Sequence, residues 1–227
     1  MKYDYILFDS DNTLLDFTGS QDKSFKEMIA RYGFEYSDDL YNRYKEINHG
    51  YWRRFEEGSI AKEKLVTERF EVFFSELGLN VDGKEVDTFY QDSLSHQSGL
   101  MPYAKEVCET LSERAKMSIV TNGVGSTANS RIGGSEIKQY IDKIVISEVV
   151  GYAKPDIEFF DAAFEIIGCS KNDKILIVGD SITSDIRGGI NAGIDTCWYN
   201  FKNEVIPEGI SINYVIDDLR QLLDIVD

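Results

Sequence analysis

Residues 3–13 read YDYILFDSDNT, a short apolar run that ends on two aspartates and a threonine. The run Ile6-Leu7-Phe8 is apolar throughout, which predicts a strand buried on both faces of a parallel sheet. Asp9 and Asp11 would then lie at the carboxyl end of that strand, where two close carboxylates are costly unless a cation separates them or one holds a proton. The stretch therefore indicates a metal ion, an acid/base pair or both, while an ordinary polar turn has the same composition.

Composition and charge narrow the class of protein. The chain has 227 residues, enough for one large domain or for a core that carries a smaller one. It has 40 acidic against 24 basic residues and a formal net charge of -16, which repels nucleic-acid backbones and anionic membranes, so we expect neither as a partner. The cysteines, Cys108, Cys169 and Cys197, are odd in number and lack metal-ligand spacing, which predicts reduced thiols. The chain opens directly into a strand and has no apolar run long enough to span a bilayer, so we expect a cytoplasmic protein.

A long helical stretch follows the first strand. From residue 16 to about residue 97 the apolar residues fall at helical spacing, and no further buried strand is predicted. One helix is predicted after the N-cap Ser37, with Leu40, Tyr44, Ile47, Tyr51 and Phe55 on its apolar face, and another after the N-cap Ser59, with Val66, Phe70, Phe73 and Leu77. A connection of this length is better explained as a domain than as a loop. We therefore predict a core of residues 1–15 and 98–227 and an inserted helical cap domain of residues 16–97.

Strands and helices alternate in the second half of the chain. Predicted strands cover residues 117–123, 143–146, 174–178 and 196–199, with helices over residues 104–114 and 157–167 among the connections. This alternation predicts an α/β fold with a doubly wound parallel sheet, because right-handed crossovers place helices on both faces. Ligands of such sheets bind outside the carboxyl ends of the strands. The polar residues that fall at or just after those ends are Asp9, Asp11, Thr121, Lys154, Asp180 and Asp185.

Two of these sequence features suit an anionic ligand. The turn Thr121-Asn122-Gly123 offers backbone N–H groups and a hydroxyl, a combination typical of a phosphate nest. Lys154 precedes a proline, which holds the lysine extended, so its ammonium can point into a site. Either signal is weak by itself, and a solvated surface lysine is the simpler explanation of a lone Lys-Pro pair. Together at one edge of the sheet they indicate a site.

The order of the motifs resembles a known family. The set Asp9-x-Asp11-x-Thr13, Thr121, Lys154 and Gly179-Asp180-x-x-x-x-Asp185 looks like the four motifs of the haloacid dehalogenase-like hydrolase superfamily, whose core is Rossmann-like. The helical insertion is similar to the cap domain of that family. More narrowly, residues 145–155 and 189–198 resemble the pyrimidine-type 5'-nucleotidases of bacteria.

Two stretches depart from the family pattern. Asn12 stands where many members carry glycine, and we expect this change to affect the cap hinge or the substrate contacts. The stretch Ile132-Gly133-Gly134-Ser135 is unusually rich in glycine, and we expect it to loosen a helix away from the chemistry.

The resemblance implies a Mg²⁺-dependent phosphate monoester hydrolase that works through an aspartyl-phosphate. Asp9 would be the nucleophile, and a carboxylate can attack a phosphate dianion only when its charge is masked. The carboxylates of Asp9 and Asp180 and the backbone carbonyl of Asp11 would bind Mg²⁺, and Asp185 would support the ion without being a direct ligand. Asp11 would give a proton to the leaving group and then take one from the attacking water.

The phosphate group would be held by residues of the next two motifs. Lys154 would neutralise a phosphate oxygen and Asp9 together. Thr121, with the backbone of Asn122 and Gly123, would orient the transferring group. These four residues form the phosphate-binding set that the resemblance implies.

The substrate that the resemblance implies is a pyrimidine nucleoside monophosphate such as UMP, dUMP or dTMP. Trp52 and Phe55 of the helical domain are candidates to stack on the base, although an aromatic stripe at helical spacing is more often core. Alternatives are a phosphatase or mutase that acts on small sugar phosphates or phosphoglycolate and, more distantly, a non-catalytic binding module. A dehalogenase is disfavoured, because it needs neither Mg²⁺ nor a protonated Asp11. We expect a monomer or a weak homo-oligomer.

Overall fold

A computed structural model describes residues 2–227 and divides into two compact units. One unit holds the chain up to Phe17 together with Ser98–Asp227, and the other holds Thr18–Gln97. The assignment of these units as a catalytic core and a cap stays a prediction.

The first unit is built on a sheet of six parallel strands. They are β1 (Tyr5–Phe8), β2 (Lys116–Thr121), β3 (Lys143–Ile146), β4 (Ile175–Gly179), β5 (Asp195–Tyr199) and β6 (Tyr214–Ile216). Their order across the sheet is β3-β2-β1-β4-β5-β6, and every neighbouring pair is parallel. The central strand β1 pairs with β2 on one side and with β4 on the other. The chain therefore changes direction across the sheet at β1, which is where open α/β sheets bind ligands.

Helices cover both faces of this sheet. They are α5 (Ala104–Ser112), α6 (Gly125–Gly133), α7 (Ser147–Val150), α8 (Ile157–Ile167), α9 (Arg187–Ala192) and α10 (Gln221–Val226), with a 3-10 turn over Lys138–Tyr140 and a π-helical turn over Ile182–Ile186. Ile6 and Phe8 lie in the hydrophobic cluster that includes α5, α6 and α10, whereas Leu7 lies in the cluster built on α8. Successive residues of β1 therefore face opposite layers, as a strand requires. The predicted doubly wound, Rossmann-like α/β fold is confirmed.

The second unit is helical. Its helices are α1 (Phe17–Arg31), which begins at the last residue of the first unit, α2 (Asp38–Glu56), α3 (Lys62–Glu76) and α4 (Gly83–Ser95). Their inner faces meet in a cluster of aromatic rings, in which the ring of Tyr44 lies 5.0 Å from that of Phe25 and 5.9 Å from that of Phe70. Most of the aromatic residues at helical spacing in this stretch thus form its core.

Of the two serines predicted as N-caps in this unit, Ser37 is confirmed and Ser59 is not. The Ser37 hydroxyl accepts a hydrogen bond from the Leu40 N–H at 3.2 Å and caps α2. Helix α3 begins at Lys62 after Ala61, and the Ser59 hydroxyl donates to the carbonyl of Arg54 instead. The prediction of Ser59 as an N-cap was therefore wrong, because this serine closes the preceding helix.

A short edge strand was not predicted. β6 has three residues, of which Val215 is exposed and only Ile216 is buried. Three apolar residues are too few to predict a strand, either by alternation or by a continuous apolar run, so this sequence carries little signal. Within residues 2–227, no helix combines the length and the apolar character that crossing a bilayer requires.

Candidate active site

The loop after β1 carries the first two aspartates. Asp9 follows the strand directly, and its N–H donates to the carbonyl of Val178 on β4 at 2.9 Å. The chain then turns sharply at Asn12, whose φ of 60° lies in the left-handed region. Asparagine is among the few residues other than glycine that tolerate this conformation. Asn12 therefore adopts the left-handed backbone conformation that glycine would favour at this position.

Lys154 lies at the centre of the site. Its side chain is 1% exposed, and Nζ donates to Asp9 Oδ1 at 2.6 Å, to Asp185 Oδ1 at 2.7 Å and to the carbonyl of Val120 at 2.7 Å. Asn122 fixes the lysine backbone, since its Nδ2 donates to the carbonyl of Lys154 at 2.8 Å and its Oδ1 accepts from the Lys154 N–H at 2.9 Å. All three ammonium protons therefore have partners, and the amine is held in one position.

Three carboxylates from the ends of two adjacent strands meet beside this lysine. One oxygen each of Asp9, Asp180 and Asp185 lies within 4.8 Å of the others. The backbone carbonyl of Asp180 accepts from Trp198 Nε1 at 2.9 Å, which anchors that loop to β5. Asp185 is fully buried, and its Oδ2 accepts from the Ser181 N–H at 3.1 Å.

The electrostatics of this cluster are unbalanced. Burial raises the pKa of Asp9 to about 7; the charge of Lys154 opposes this shift, and the charges of Asp185 and Asp11 add to it. Burial, together with the charges of Asp9 and Asp185, also raises the pKa of Asp180 well above its ordinary value. Burial lowers the pKa of Lys154, but the carboxylates of Asp185 and Asp9 outweigh it, so the pKa of the lysine lies above its usual value. Additional positive charge beside Asp9 and Asp180 would favour their ionised forms.

The donor set fits a hard divalent cation. Carboxylate oxygens are the ligands that Mg²⁺ prefers, and a cation among them would offset the burial and the repulsion that raise the pKa values of Asp9 and Asp180. Asp185 already accepts from Lys154 and from the Ser181 N–H. These hydrogen bonds suit the role predicted for Asp185, which is to support the cation without binding it directly. This role and those of the predicted ligands stay predictions.

The turn after β2 faces Asp11. The Thr121 hydroxyl accepts from the Gly123 N–H at 3.0 Å, so this N–H has an internal partner. A β-carbon at Gly123 would lie 3.2 Å from Thr121 Oγ1 and 3.7 Å from Asp11 Oδ2. The hydroxyl and one carboxylate oxygen therefore flank the same point of the turn. Asn122 acts on Lys154 through its side chain, a contact that the sequence did not predict.

Sequence reasoning missed Arg131. This residue lies on α6, is 2% exposed, and donates from Nη1 to Asp11 Oδ1. The glycines that follow it end the helix, with Gly134 at its C-cap. The expectation that this helix lies away from the chemistry was therefore wrong. The available signal was an arginine on the same helix face as the buried Ala128 and Ile132, because a buried charge needs a partner.

The two candidate substrate contacts lie in the helical unit. Trp52 and Phe55 are partly buried on α2, with ring centroids 6.0 Å apart and nearly perpendicular planes. The ammonium of Lys62 lies 6.0 Å from the Trp52 ring and 5.9 Å from the Phe55 ring. Their contact with a substrate stays a prediction.

Comparison with known proteins places the chain in a family. The family model described as haloacid dehalogenase-like hydrolase matches residues 6–199. The HAD-hydrolase YfnB of Bacillus subtilis is 34% identical over 226 residues, covering 100% of this chain and 96% of YfnB. The pyrimidine 5'-nucleotidase YjjG of Escherichia coli is 33% identical over 225 residues, covering 98% of this chain and 97% of YjjG. The pyrimidine 5'-nucleotidase PynA of Streptococcus pneumoniae is 32% identical over 228 residues, covering 100% of this chain and 96% of PynA.

A solved structure agrees with this result. The crystal structure of YfnB bound to magnesium matches with a TM-score of 0.95 at 33% identity, covering 100% of both chains. The expectation of a hydrolase is confirmed by these comparisons. The chain belongs to the haloacid dehalogenase-like hydrolase family, as the order of its motifs predicts.

Proposed function

We propose that this protein is a Mg²⁺-dependent phosphate monoester hydrolase whose preferred substrates are pyrimidine nucleoside monophosphates. The observation that carries this proposal is the placement of Asp9 against Lys154 and within the acidic cluster at the carboxyl edge of the sheet. Two full-length relatives are named pyrimidine 5'-nucleotidases, which supports the substrate class. The magnesium-bound structure of YfnB supports the metal.

The proposed reaction has two displacements at phosphorus. A carboxylate oxygen of Asp9 attacks phosphorus, the bond to the ester oxygen breaks, and that oxygen takes a proton from Asp11. A water molecule then attacks the phosphorus of the aspartyl-phosphate and gives its proton to Asp11. Inorganic phosphate leaves, and Asp9 is regenerated as a carboxylate.

The remaining residues stabilise charge and position the phosphate group. Lys154 is held by Asp9, Asp185 and the backbone, so it is preorganised to neutralise charge beside the nucleophile. Thr121 lies at the turn that faces Asp11, where it would orient the phosphoryl group. Mg²⁺, held by Asp9, Asp180 and the Asp11 carbonyl, would mask the negative charge between the nucleophile and the phosphate.

A substrate screen tests the proposal. Purified protein, stripped of metal and then supplied with Mg²⁺, is assayed for free phosphate with UMP, dUMP and dTMP, with sugar phosphates of similar size, and with phosphoglycolate. We expect the highest kcat/KM for the pyrimidine nucleotides and no turnover in EDTA. Equal kcat/KM for sugar phosphates would remove the nucleotidase assignment. Transfer of phosphate to an added sugar phosphate in place of its release would indicate a mutase.

A further inference from the structure

We propose that Arg131 is a positioning residue for Asp11, and that its guanidinium determines which oxygen of that carboxylate exchanges the proton. This inference rests on the proposed function, because it assumes that Asp11 is the acid and base. Arg131 lies outside the four motifs and outside the acidic cluster.

The guanidinium of Arg131 is anchored at more than one point. Its Nη1 donates to Asp11 Oδ1, and its Nη2 donates to the backbone carbonyl of Asp16 at 3.5 Å. Its carbon lies 5.5 Å from the centroid of the Phe17 ring. The side chain of Arg131 is 2% exposed, whereas that of Asp11 is 31% exposed. The arginine therefore forms the fixed member of the pair, and the aspartate reaches from it towards solvent.

The two oxygens of Asp11 have different surroundings. Oδ1 accepts from Arg131. Oδ2 is directed towards the turn after β2, where it would lie 3.7 Å from a β-carbon at Gly123, and the Thr121 hydroxyl flanks the same point. Because Arg131 binds Oδ1, the other oxygen, Oδ2, faces the turn that is proposed to bind the phosphate. The proton would pass from Oδ2 to the leaving oxygen as its bond to phosphorus breaks.

Helix α6 holds Arg131 in a fixed position because its buried face packs in the core. Ala128 and Ile132 share the buried face of α6 with Arg131 and pack in the main hydrophobic cluster of the first unit. A site residue held by a packed helix keeps its geometry better than one on a loop. The planar guanidinium binds Asp11 through Nη1 and the Asp16 carbonyl through Nη2, so the direction of its bond to Asp11 is fixed in a way that a lysine ammonium cannot reproduce.

The role of Arg131 can be separated from a merely structural one by changing the leaving group. The alkoxide released from UMP or glycerol 3-phosphate needs a proton as it departs, whereas p-nitrophenolate is stable without one. The ratio kcat/KM reports the steps up to formation of the aspartyl-phosphate, so it includes proton donation to the leaving group. Loss of a well-directed acid should therefore affect alkyl esters and spare the aryl ester.

The experiment compares kcat/KM of the wild type, Arg131→Met and Arg131→Lys on UMP, glycerol 3-phosphate and p-nitrophenyl phosphate at saturating Mg²⁺. For Arg131→Met we expect a loss of about 100-fold on both alkyl esters and of less than about threefold on the aryl ester. Arg131→Lys should show the same dependence on the ester with a smaller loss, and it carries the comparison if the methionine variant does not fold. Arg69→Met is the control, because Arg69 is also buried and paired, with Asp87, but in the helical unit.

Each outcome has one meaning. A loss confined to the alkyl esters, together with an unchanged ratio in Arg69→Met, supports the positioning role. Equal losses on all three esters overturn it and leave the proposed phosphatase in place. A wild-type protein that hydrolyses none of the esters overturns the proposed function and this inference with it.

Discussion

Asp185 packs so closely against Gly179 that a β-carbon on the glycine would overlap the aspartate carboxylate. Gly179 is the last residue of β4, and Asp185 lies in the π-helical turn that follows. The missing side chain thus lets the turn fold back over the end of the strand. That position allows Asp185 to accept from Lys154.

Gly179→Ala is therefore expected to damage both stability and activity. The added methyl group must displace Asp185, which weakens its bond to Lys154 at 2.7 Å. Overpacking of this kind costs about 1–3 kcal/mol, and a chain of this size loses about 2–4 °C in Tm for each kcal/mol. Thermal unfolding and the rate of phosphate release measure the two effects.

Gly50→Ala is the control for the glycine substitution. Gly50 lies within α2, and a β-carbon there would meet no atom within 4 Å. Alanine is the better helix former, so Tm should stay the same or rise. If Gly179→Ala leaves Tm and activity unchanged, as Gly50→Ala should, then the close approach of Asp185 to Gly179 does not constrain the site.

A second prediction separates metal binding from catalysis. Because burial and the charges of Asp9 and Asp185 raise the pKa of Asp180, its ionised form costs stability in the metal-free protein above its ordinary pKa. At pH 8 in EDTA, Asp180→Asn should therefore have a higher Tm than the wild type. Mg²⁺ at 100 times its Kd should increase the free energy of unfolding of the wild type by about 2.7 kcal/mol and so raise its Tm. The same addition should raise the Tm of Asp180→Asn much less.

The control for this measurement is Asp161→Asn, which removes an exposed carboxylate on α8. It should match the wild type in EDTA and in Mg²⁺. A lower Tm for Asp180→Asn in EDTA, or a full Mg²⁺-induced rise, would speak against a cation held by Asp180.

A third prediction distinguishes the two aspartates of the first loop. Asp9→Asn removes the nucleophile and should lower kcat by about 10⁴-fold or more. Asp11→Asn keeps the nucleophile but loses the proton shuttle, so kcat should fall by about 10²–10⁴-fold. After an acid quench, covalently held phosphate should be detectable in the wild type and absent from Asp9→Asn. Appreciable turnover by folded Asp9→Asn would exclude covalent catalysis by that residue.

Much of the first unit was readable from its sequence because its strands are buried. The runs around Ile6 and Ile177 are continuous and apolar, and the run around Ile119 is buried although Ser118 interrupts it. Buried parallel strands have no alternative exposed face to obscure that signal. The polar residues at the ends of those strands then fall at one edge of the sheet by topology alone. Edge strand β6 lacked the signal, because it is only three residues long and partly exposed.

The partners of the site residues could not be read in the same way. The pair between Arg131 and Asp11 joins residues 120 positions apart, and no local pattern encodes such a contact. The side-chain clamp of Asn122 on the Lys154 backbone is another example. Sequence spacing identified which groups reach the edge of the sheet, whereas packing determines which of them bind each other.

The thiols give a fourth prediction. Cys108 and Cys197 are buried, and burial raises the pKa of Cys108 to about 12 and also raises the pKa of Cys197. Cys169 is partly exposed, although burial raises its pKa as well. At pH 8 a thiol reagent should therefore modify Cys169 slowly and the other two only after unfolding. Rapid modification of more than one thiol in the native protein would contradict this.

The final prediction concerns recognition of the nucleobase. Trp52 and Phe55 are partly buried on α2, so neither ring is fully used in packing, and the cation of Lys62 lies near both. We propose that one of these rings stacks on the pyrimidine, an interaction worth about 1–3 kcal/mol. Trp52→Ala and Phe55→Ala each remove one of the two rings, so they test the stacking separately. The variant that lacks the stacking ring should have a KM for UMP that is higher by roughly ten- to a hundredfold. Its KM for p-nitrophenyl phosphate, which has no base, should stay the same.

Phe89→Ala is the matched control for the aromatic substitutions. Phe89 is another partly buried ring of the helical unit beneath a cation, with the guanidinium carbon of Arg31 at 4.6 Å from its centroid. Its replacement removes similar packing and should leave the preference for UMP over p-nitrophenyl phosphate unchanged. If Trp52→Ala and Phe55→Ala also leave that preference unchanged, base recognition must come from other residues. If all three variants alter KM for both esters equally, the aromatic rings support the helical unit and do not contact the base.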